Sequence, residues 1–134
     1  MKALVTGATG QDGYYLTEHL SELGYEVHGT VRPSTVKSQA QFYQPHSCDL
    51  TDAGSVARLI QKIAPDEIYN LAAQSNVGRS FENPALTFQV NAIGTLNILE
   101  SIRGSVVRFY QASTSELFGS SPPPQNENHK FNPR

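Results

Sequence analysis

The chain has 134 residues and a formal net charge of −2, with ten Lys plus Arg against twelve Asp plus Glu. That length fits one ordinary domain, and the balanced charge does not indicate a nucleic-acid or membrane-surface partner. With one cysteine, no signal-peptide core and no apolar run near the roughly eighteen residues of a membrane span, the expected compartment is a reducing cytoplasm.

The first three predicted elements are a strand, a helix and a second strand. Residues 2–6, KALVT, form a short apolar run that ends at a glycine and predicts a buried strand. Apolar residues at helical spacing predict a helix over 12–23 closed by Gly24, and EVHGTV at 26–31 predicts the next strand. The helical stripe consists of Tyr15, Leu16, His19, Leu20 and Leu23.

A third strand and a second helix are predicted between residues 46 and 65. HSCDL at 46–50 is the strand, and Thr51 or Asp52 is the N-cap of the helix, which Pro65 stops. Cys48 is interpreted as a small buried hydrophobe instead of a reactive thiol. The residues predicted to face inward from this helix are Val56, Leu59, Ile60 and Ile63.

Two more strands and a long helix are predicted in the second half. EIYNLAA at 67–73 predicts the fourth strand, and SVVRFYQAS at 105–113 predicts the fifth. Between them, residues 84–103 open with proline at a first-turn position and predict one continuous helix. The apolar stripe of that helix consists of Leu86, Val90, Ile93, Leu96 and Leu99.

Strands that alternate with helices of this length predict parallel pairing through crossover helices. The predicted fold class is therefore α/β, a doubly wound, Rossmann-like parallel sheet of about five strands with flanking helices. Residues 1–119 are predicted to form one cofactor-binding domain. Residues 120–134, which include three consecutive prolines, are predicted to be a loop or linker.

A glycine-rich turn, GATGQDG at 7–13, joins the first strand to the first helix. Glycines allow a tight turn and let backbone amides approach a pyrophosphate, which the helix N-terminus also attracts. The position between strand and helix favours a dinucleotide site over the alternative, a glycine turn without a ligand. The candidate cofactor-binding residues of this turn are Gly7, Thr9, Gly10, Gln11, Asp12 and Gly13.

The end of the second strand predicts which dinucleotide binds. An NAD site places an acidic residue about twenty residues beyond the glycine turn, but no Asp or Glu occurs between residues 27 and 48. Arg32 stands there instead, with Ser34 nearby, and a guanidinium suits the 2′-phosphate of NADP. The sequence therefore predicts NADP, the alternative being that Arg32 is a solvated surface charge.

Two further segments follow strands at the same predicted edge. Asp49 can accept a hydrogen bond from an adenine amino group and Leu50 can cover the adenine face, the alternative being that Asp49 only caps a helix. The small side chains after the fourth strand let backbone approach the nicotinamide ribose and diphosphate. No metal site is predicted, because the four histidines share no ligand-like spacing. The candidate residues after the fourth strand are Leu71, Ala72, Ala73, Gln74 and Ser75, the last also as a substrate contact.

The segment ASTSELFG at 112–119 follows the fifth strand. A hydroxyl there can hold a sugar oxygen and a carboxylate can move protons, which makes Thr114 and Glu116 candidate catalytic residues. Ser113 and Ser115 are candidate substrate contacts. Local sequence leaves an alternative open, in which Ser113 or Thr114 caps a following helix and Glu116 completes a capping box with Ser113.

Five stretches together resemble one known family: VTGATGQDGYYL, GYEVHGTVR, DLTD, PDEIYNLAAQSNVGRSFENP and RFYQASTSELFG. They are similar to the GDP-mannose 4,6-dehydratases, NADP-dependent lyases of the extended short-chain dehydrogenase/reductase group. The resemblance implies GDP-mannose as substrate, a homo-oligomer, and an internal redox cycle in which the cofactor is regenerated. It also implies that Thr114 and Glu116 hold the C4 oxygen and shuttle the C5 and C6 protons.

The sequence departs from this family in two respects. The family uses a Tyr-x-x-x-Lys pair, but none of the six tyrosines here is followed four residues later by lysine. We therefore expect the chain to be the N-terminal part of a longer enzyme, inactive alone. The loop from Arg32 to Asp49 is also short, which leaves Lys37 as the substitute for a second basic contact to the 2′-phosphate. Other nucleotide-sugar epimerases, reductases or decarboxylases, and a non-catalytic NADP-binding module, are the alternative functions.

Overall fold

The structure is a computed structural model that describes residues 1–33 and 40–133. No helix in these two ranges is long and apolar enough to cross a membrane. The strands are β1 Lys2–Thr6, β2 Glu26–Val31, β3 Gln44–Ser47, β4 Glu67–Asn70 and β5 Arg108–Gln111. The helices are α1 Gln11–Glu22, α2 Ala53–Ile63, α3 Val77–Glu82, α4 Pro84–Phe88 and α5 Gly94–Ser101, with a π-helical turn at Gln89–Ile93 and a 3₁₀ turn at Ser115–Phe118.

The strands form one parallel sheet in the order β3-β2-β1-β4-β5. This confirms the predicted doubly wound α/β class. The chain leaves β1 toward β2 and β3 on one side and later returns to place β4 and β5 on the other. Because the strand order reverses beside β1, a crevice opens there at the carboxyl ends of the strands.

Two apolar clusters lie on opposite faces of the sheet. Alternate residues of β1 point to different faces, so Leu4 belongs to one cluster and Ala3 and Val5 to the other. Helix α2 buries Val56, Ile60 and Ile63 against the Leu4 face, as predicted, while Leu59 is half-buried. The other cluster includes Leu20 of α1. The sheet is therefore covered on both faces, as a parallel sheet requires.

The prediction that Cys48 is a small buried hydrophobe is confirmed. Its side chain is only 4% exposed and belongs to the Leu4 cluster. Burial raises the pKa of its thiol, and the Ser55 hydroxyl, which donates to Sγ at 3.6 Å, opposes that effect in part. A buried thiol with a raised pKa carries little thiolate at neutral pH.

Three strands differ from their predicted bounds. β3 runs from Gln44 to Ser47 instead of 46–50, because Asp49 accepts hydrogen bonds from the backbone and hydroxyl of Thr51 and turns the chain. β4 ends at Asn70 instead of residue 73, since its partner β1 ends at Thr6. β5 pairs only with β4 and is correspondingly short, at Arg108–Gln111 instead of 105–113.

The predicted inward stripe of the first helix is wrong in part. Tyr15 and Leu23 are each 60% exposed, whereas Thr17 is fully buried and donates its hydroxyl hydrogen bond to the Tyr14 carbonyl at 2.9 Å. Leu20 is buried as predicted. Thr17, a small polar residue, faces the sheet because α1 packs closely against the sheet there. A prediction from apolar periodicity alone does not include such a residue.

The predicted helix over 84–103 is interrupted, and a short helix, α3, precedes it. The π-helical turn at Gln89–Ile93 adds a residue to one turn and rotates the helix that follows. Gly94 and Ile98 therefore face the core, while Leu96 and Leu99 of the predicted stripe are 48% and 42% exposed. The stripe was wrong because it assumed an unbroken helical period.

Candidate functional site

The candidate residues that the structure describes lie at the carboxyl edge of the sheet. Because the five strands are parallel, the segment that follows each strand emerges at the same edge. The glycine turn follows β1, Arg32 follows β2, and Asp49 and Leu50 follow β3. Residues 71–75 follow β4, and residues 112–116 follow β5.

The glycine turn packs directly against the segment after β4. Gly7 has a φ of +70°, and a Cβ there would lie 2.9 Å from the backbone N and Cα of Ala72. A Cβ on Gly13 would lie 2.3 Å from the Gly7 carbonyl oxygen and 2.7 Å from the Cα of Ala8. Two separately predicted parts of the site are thus in backbone contact, and only glycine fits at the two tightest points.

No described side chain caps the N-terminus of α1. Gly10 is its N-cap and supplies no side-chain acceptor, whereas the N-caps of α2, α3 and α4, Asp52, Asn76 and Asn83, each accept backbone hydrogen bonds. Thr9, Gly10, Gln11 and Asp12 are exposed. The first-turn amides, the helix dipole and the tight glycine turn therefore fit a diphosphate group.

A buried polar network lies beneath this edge and was not predicted from the sequence. Asn70 is 1% exposed; its Nδ2 donates to Gln111 Oε1 at 2.7 Å and to Thr95 Oγ1 at 3.2 Å. Its Oδ1 accepts from the Thr6 hydroxyl, whose oxygen in turn accepts from the Ala72 amide at 3.2 Å. The network joins the ends of β1, β4 and β5. A polar residue ending an apolar strand, in the stretch EIYN, is the sequence signal that marks it.

We expect Asn70→Leu to destabilise the chain by about 3 kcal/mol, because the Gln111 side-chain carbonyl oxygen and the Thr6 hydroxyl hydrogen lose their buried partner. The free energy of unfolding in urea measures this. Asn128→Leu is the control, since the exposed Asn128 side chain bonds to nothing in the part of the chain that the structure describes. Equal stabilities of the two variants would show that the network contributes nothing.

The segment after β4 is held by the helical region. The Gln74 amide donates to Asn91 Oδ1 at 2.7 Å, and Asn91 Nδ2 donates back to the Gln74 carbonyl at 3.1 Å. The Gln74 side chain donates to the Thr87 hydroxyl at 3.3 Å. Asn91 lies in the π-helical turn, so the irregular turn places a side-chain amide where it pairs with the loop backbone. Ser75, just beyond, is exposed.

Thr114 and Glu116 lie in the short turn after β5. Thr114 is the N-cap of this 3₁₀ turn, and its hydroxyl oxygen accepts from the Glu116 amide at 3.2 Å. The capping alternative is thus confirmed for Thr114, but the box between Ser113 and Glu116 is not formed. The hydroxyl hydrogen of Thr114 donates to no acceptor among the described residues, which leaves it available to a ligand. The Glu116 side chain is exposed and bonds to nothing within residues 1–33 and 40–133.

Arg32 and Asp49 differ in how far the structure defines them. Arg32 is exposed and has no ion-pair partner among the described residues, while Ser34 and Lys37 lie outside those residues.

The helix-capping alternative for Asp49 is wrong, because Asp52 caps α2 by accepting from the amides of residues 54 and 55. Leu50 is half-buried beside Gly94. The Ser115 side chain is not among the described ones.

Two histidines meet in a way that sequence spacing does not reveal. His28 of β2 lies 2.9 Å from His46 of β3, ring nitrogen to ring nitrogen, and 3.0 Å from the Glu26 carboxylate. Burial lowers the pKa of His46, and the neighbouring His28 lowers it further. No group of three His, Cys, Asp or Glu side chains suited to a metal ion occurs among the residues that the structure covers.

The family model and the curated relatives with similar sequences agree on one family. The family model described as GDP-mannose 4,6 dehydratase matches residues 4–134. The chain is 49% identical to GDP-mannose 4,6 dehydratase 1 of Arabidopsis thaliana, covering 98% of this chain and 42% of that protein. It is 48% identical to a GDP-mannose 4,6-dehydratase of Vibrio cholerae, with 99% and 41% coverage. The chain thus spans about two fifths of the curated relatives it matches.

Solved structures share the fold over nearly the whole chain. The UDP-glucose 4-epimerase of Thermus thermophilus, solved in complex with NAD, superposes with a TM-score of 0.88 at 32% identity, covering 99% of this chain and 45% of that one. The UDP-glucose 4-epimerase of Thermotoga maritima, solved with UDP-glucose, has a TM-score of 0.88 at 28% identity, with 100% and 45% coverage.

Proposed function

This chain belongs to the GDP-mannose 4,6-dehydratase family, and we propose that it is the cofactor-binding part of an enzyme that converts GDP-mannose to GDP-4-keto-6-deoxymannose. The observation that carries the proposal is the extent of the family match. It runs from residue 4 to residue 134 and so includes both the glycine turn and the Ser-Thr-Ser-Glu segment, which follow strands at one edge of the sheet.

The residues at this edge suit a nicotinamide dinucleotide. The first-turn amides of α1 would hold the diphosphate, and the close contact of Gly7 with Ala72 would bring backbone against it. The complex of the Thermus relative with NAD supports this class of cofactor. NADP is proposed because Arg32 follows β2 and no Asp or Glu, which NAD would require, occurs between residues 27 and 48. Bound there, the cofactor would supply a hydride acceptor that later returns the hydride.

The chain's own chemistry would come from Thr114 and Glu116. The Thr114 hydroxyl, with its hydrogen still free to donate, would hold the C4 oxygen of the sugar. The exposed Glu116 carboxylate would remove the C5 proton and deliver it to the departing C6 hydroxyl, which leaves as water. The proton that the C4 hydroxyl gives up with its hydride would return to C5 when the hydride reaches C6, carried by the Tyr-x-x-x-Lys pair that the family uses. Thr114 also fixes the Glu116 backbone, so the two proposed roles reinforce each other.

Incubating the full-length enzyme with GDP-mannose and NADP tests the activity. The expected product is a GDP-4-keto-6-deoxy sugar, identified by a mass loss of one water and by the carbonyl signal. No such product from a folded enzyme that binds NADP would refute dehydration. Conversion of a UDP-sugar in place of GDP-mannose would support the epimerase alternative.

We expect Arg32→Ala to weaken NADP binding by about tenfold or more, because one charge-assisted hydrogen bond to the 2′-phosphate contributes about 1.5–3 kcal/mol. NAD affinity should change less than twofold. Calorimetric titration of the chain with both dinucleotides measures this. Arg103→Ala is the matched control. Arg103 follows α5, is paired with Glu100 of that helix, and lies at the opposite edge of the sheet. Tighter binding of NAD than NADP by the unsubstituted chain would overturn the NADP proposal.

A further inference from the structure

Residues 117–132 form a loop whose two ends are joined, which we name the 117–132 loop. The Asn132 amide donates to the Leu117 carbonyl oxygen at 2.8 Å, so the chain leaves the 3₁₀ turn and returns to it. The Phe118 ring meets the Phe131 ring, with centroids 5.8 Å apart, and the His129 ring, with centroids 6.5 Å apart and planes perpendicular. A compact loop closed by its own side chains differs from an extended linker.

The interior of the loop is ordered by local hydrogen bonds. The Ser121 amide donates to the Phe118 carbonyl at 3.0 Å, and the Gln125 side-chain amide donates to the Ser121 carbonyl at 2.8 Å. Asn126 accepts from the His129 amide at 3.1 Å through its backbone carbonyl. These bonds hold His129 in place beside Phe118, so the contact between the two rings is supported by the backbone of the loop.

The loop begins inside the turn that carries Glu116. That turn has only four residues, Ser115–Phe118, and short 3₁₀ turns have poor hydrogen-bond geometry. Its own bonds, from the Leu117 amide to the Thr114 carbonyl and from the Gly119 amide to the Glu116 carbonyl, measure 3.3 and 3.2 Å. The exposed Glu116 carboxylate adds no bond of its own within the described residues. The bond from the Glu116 amide to Thr114 Oγ1, at 3.2 Å, holds the start of the turn, whereas the shorter bond from Asn132 and the ring contacts of Phe118 hold its end.

We infer that Phe118 is a positioning residue for Glu116, acting through the closed 117–132 loop. The inference rests on the proposed function for the role of Glu116. Without the ring, the loop loses the contacts that hold Phe131 and His129, and the turn is left with its own weak bonds. Glu116 then samples several orientations, and the productive one is populated for a smaller fraction of the time.

Hydrogen exchange on the chain tests the structural half. Phe118→Ala should speed exchange of the Leu117, Gly119 and Asn132 amides at least tenfold, with the β1 and β4 amides and the affinity for NADP unchanged. Phe118→Tyr keeps the ring and should exchange like the unsubstituted chain. Phe81→Ala is the control, since Phe81 is 83% exposed and takes no part in the loop. Unchanged exchange in Phe118→Ala would overturn the inference, whatever reaction the parent enzyme catalyses.

Steady-state kinetics of the full-length enzyme test the functional half. Phe118→Ala should lower kcat at least tenfold while KM changes less than twofold, and Phe118→Tyr should restore most of the rate. Phe131→Leu, which removes the partner ring instead, should lower kcat in the same direction and covers the case in which Phe118→Ala fails to fold. A normal kcat in variants whose loop exchanges rapidly would refute the positioning role. Absence of dehydration in the unsubstituted enzyme would instead refute the proposed function and leave the exchange result standing.

Discussion

Replacing Glu116 by Gln in the full-length enzyme is expected to lower kcat by about 10²–10⁴-fold, the usual contribution of a general acid–base group. Glutamine keeps the size of the side chain and the backbone bond from the Glu116 amide to Thr114, but it cannot accept or deliver the C5 and C6 protons of the proposed reaction. The affinity for NADP should stay within a factor of two. Steady-state rates with GDP-mannose and a parallel NADP titration separate the two quantities.

Glu127→Gln is the matched control for this loss of rate. Glu127 carries the same charge, lies in the exposed part of the 117–132 loop and has no assigned role. Its variant should retain the full rate. If Glu116→Gln retains it as well, the carboxylate moves no proton in the rate-limiting sequence, and Thr114 with residues outside this chain must carry the chemistry. A parallel loss of NADP affinity would assign Glu116 to cofactor binding instead.

Replacing Gly13 by Ala is expected to destabilise the chain by about 3 kcal/mol, because its Cβ would lie 2.3 Å from the Gly7 carbonyl oxygen. This oxygen and the Ala8 Cα, the two atoms nearest to the added Cβ, both belong to the backbone. Because neither can rotate away, α1 must shift away from the glycine turn. That shift also moves the first-turn amides, and NADP binding should fall below detection. Urea unfolding of the chain measures the stability, and titration measures the binding.

Gly10→Ala is the control for the stability effect alone. Gly10 has an ordinary φ of −80°, and its Cβ would meet only the Gly7 carbonyl oxygen at 3.3 Å. We expect its free energy of unfolding to change by less than about 1 kcal/mol. Equal stabilities of the two alanine variants would mean that the turn relaxes freely, which would contradict the tight packing of α1 on the turn.

Local patterns predicted the parts of the fold that depend on neighbouring residues. The apolar run of β1 and the buried positions Val56, Ile60 and Ile63 are confirmed, and the N-cap of α2, predicted at Thr51 or Asp52, is Asp52. Each of these features depends on residues a few places apart. Strand ends were predicted less well. β4 stops where its partner β1 stops, and β1 is distant in the sequence.

The phase of the third long helical region shows the same limit. The stripe of Leu96 and Leu99 follows an unbroken period of 3.6 residues, but the π-helical turn rotates the helix and turns Ile98 inward instead. That turn holds Asn91, which pairs with the Gln74 backbone 17 residues away. The π-helical turn is therefore accompanied by a contact with a distant loop, and the sequence of the helix alone does not reveal that contact.

The candidate site divides in a similar way. The glycine turn and the Ser-Thr-Ser-Glu segment are recognisable in the sequence because their chemistry requires particular residue types at short spacing. Whether Thr114 caps a helix or holds a substrate could not be decided there. The structure shows that its hydroxyl oxygen caps a 3₁₀ turn, and no described residue accepts its hydroxyl hydrogen. The binding and catalytic roles assigned to the candidate residues, including Arg32, Thr114 and Glu116, stay predictions.

The sequence by itself determined the alternation of strands and helices, the glycine turn, and the hydroxyl and carboxylate after the fifth strand. Each is a local pattern, set by backbone preference or by the residue types that a reaction needs. Only the tertiary structure decided the buried network of Thr6, Asn70 and Gln111, whose members lie 64 and 41 residues apart, and the closure of the 117–132 loop on Phe118. These features depend on which distant segments meet, and that is settled by packing and hydrogen bonding across the whole sheet.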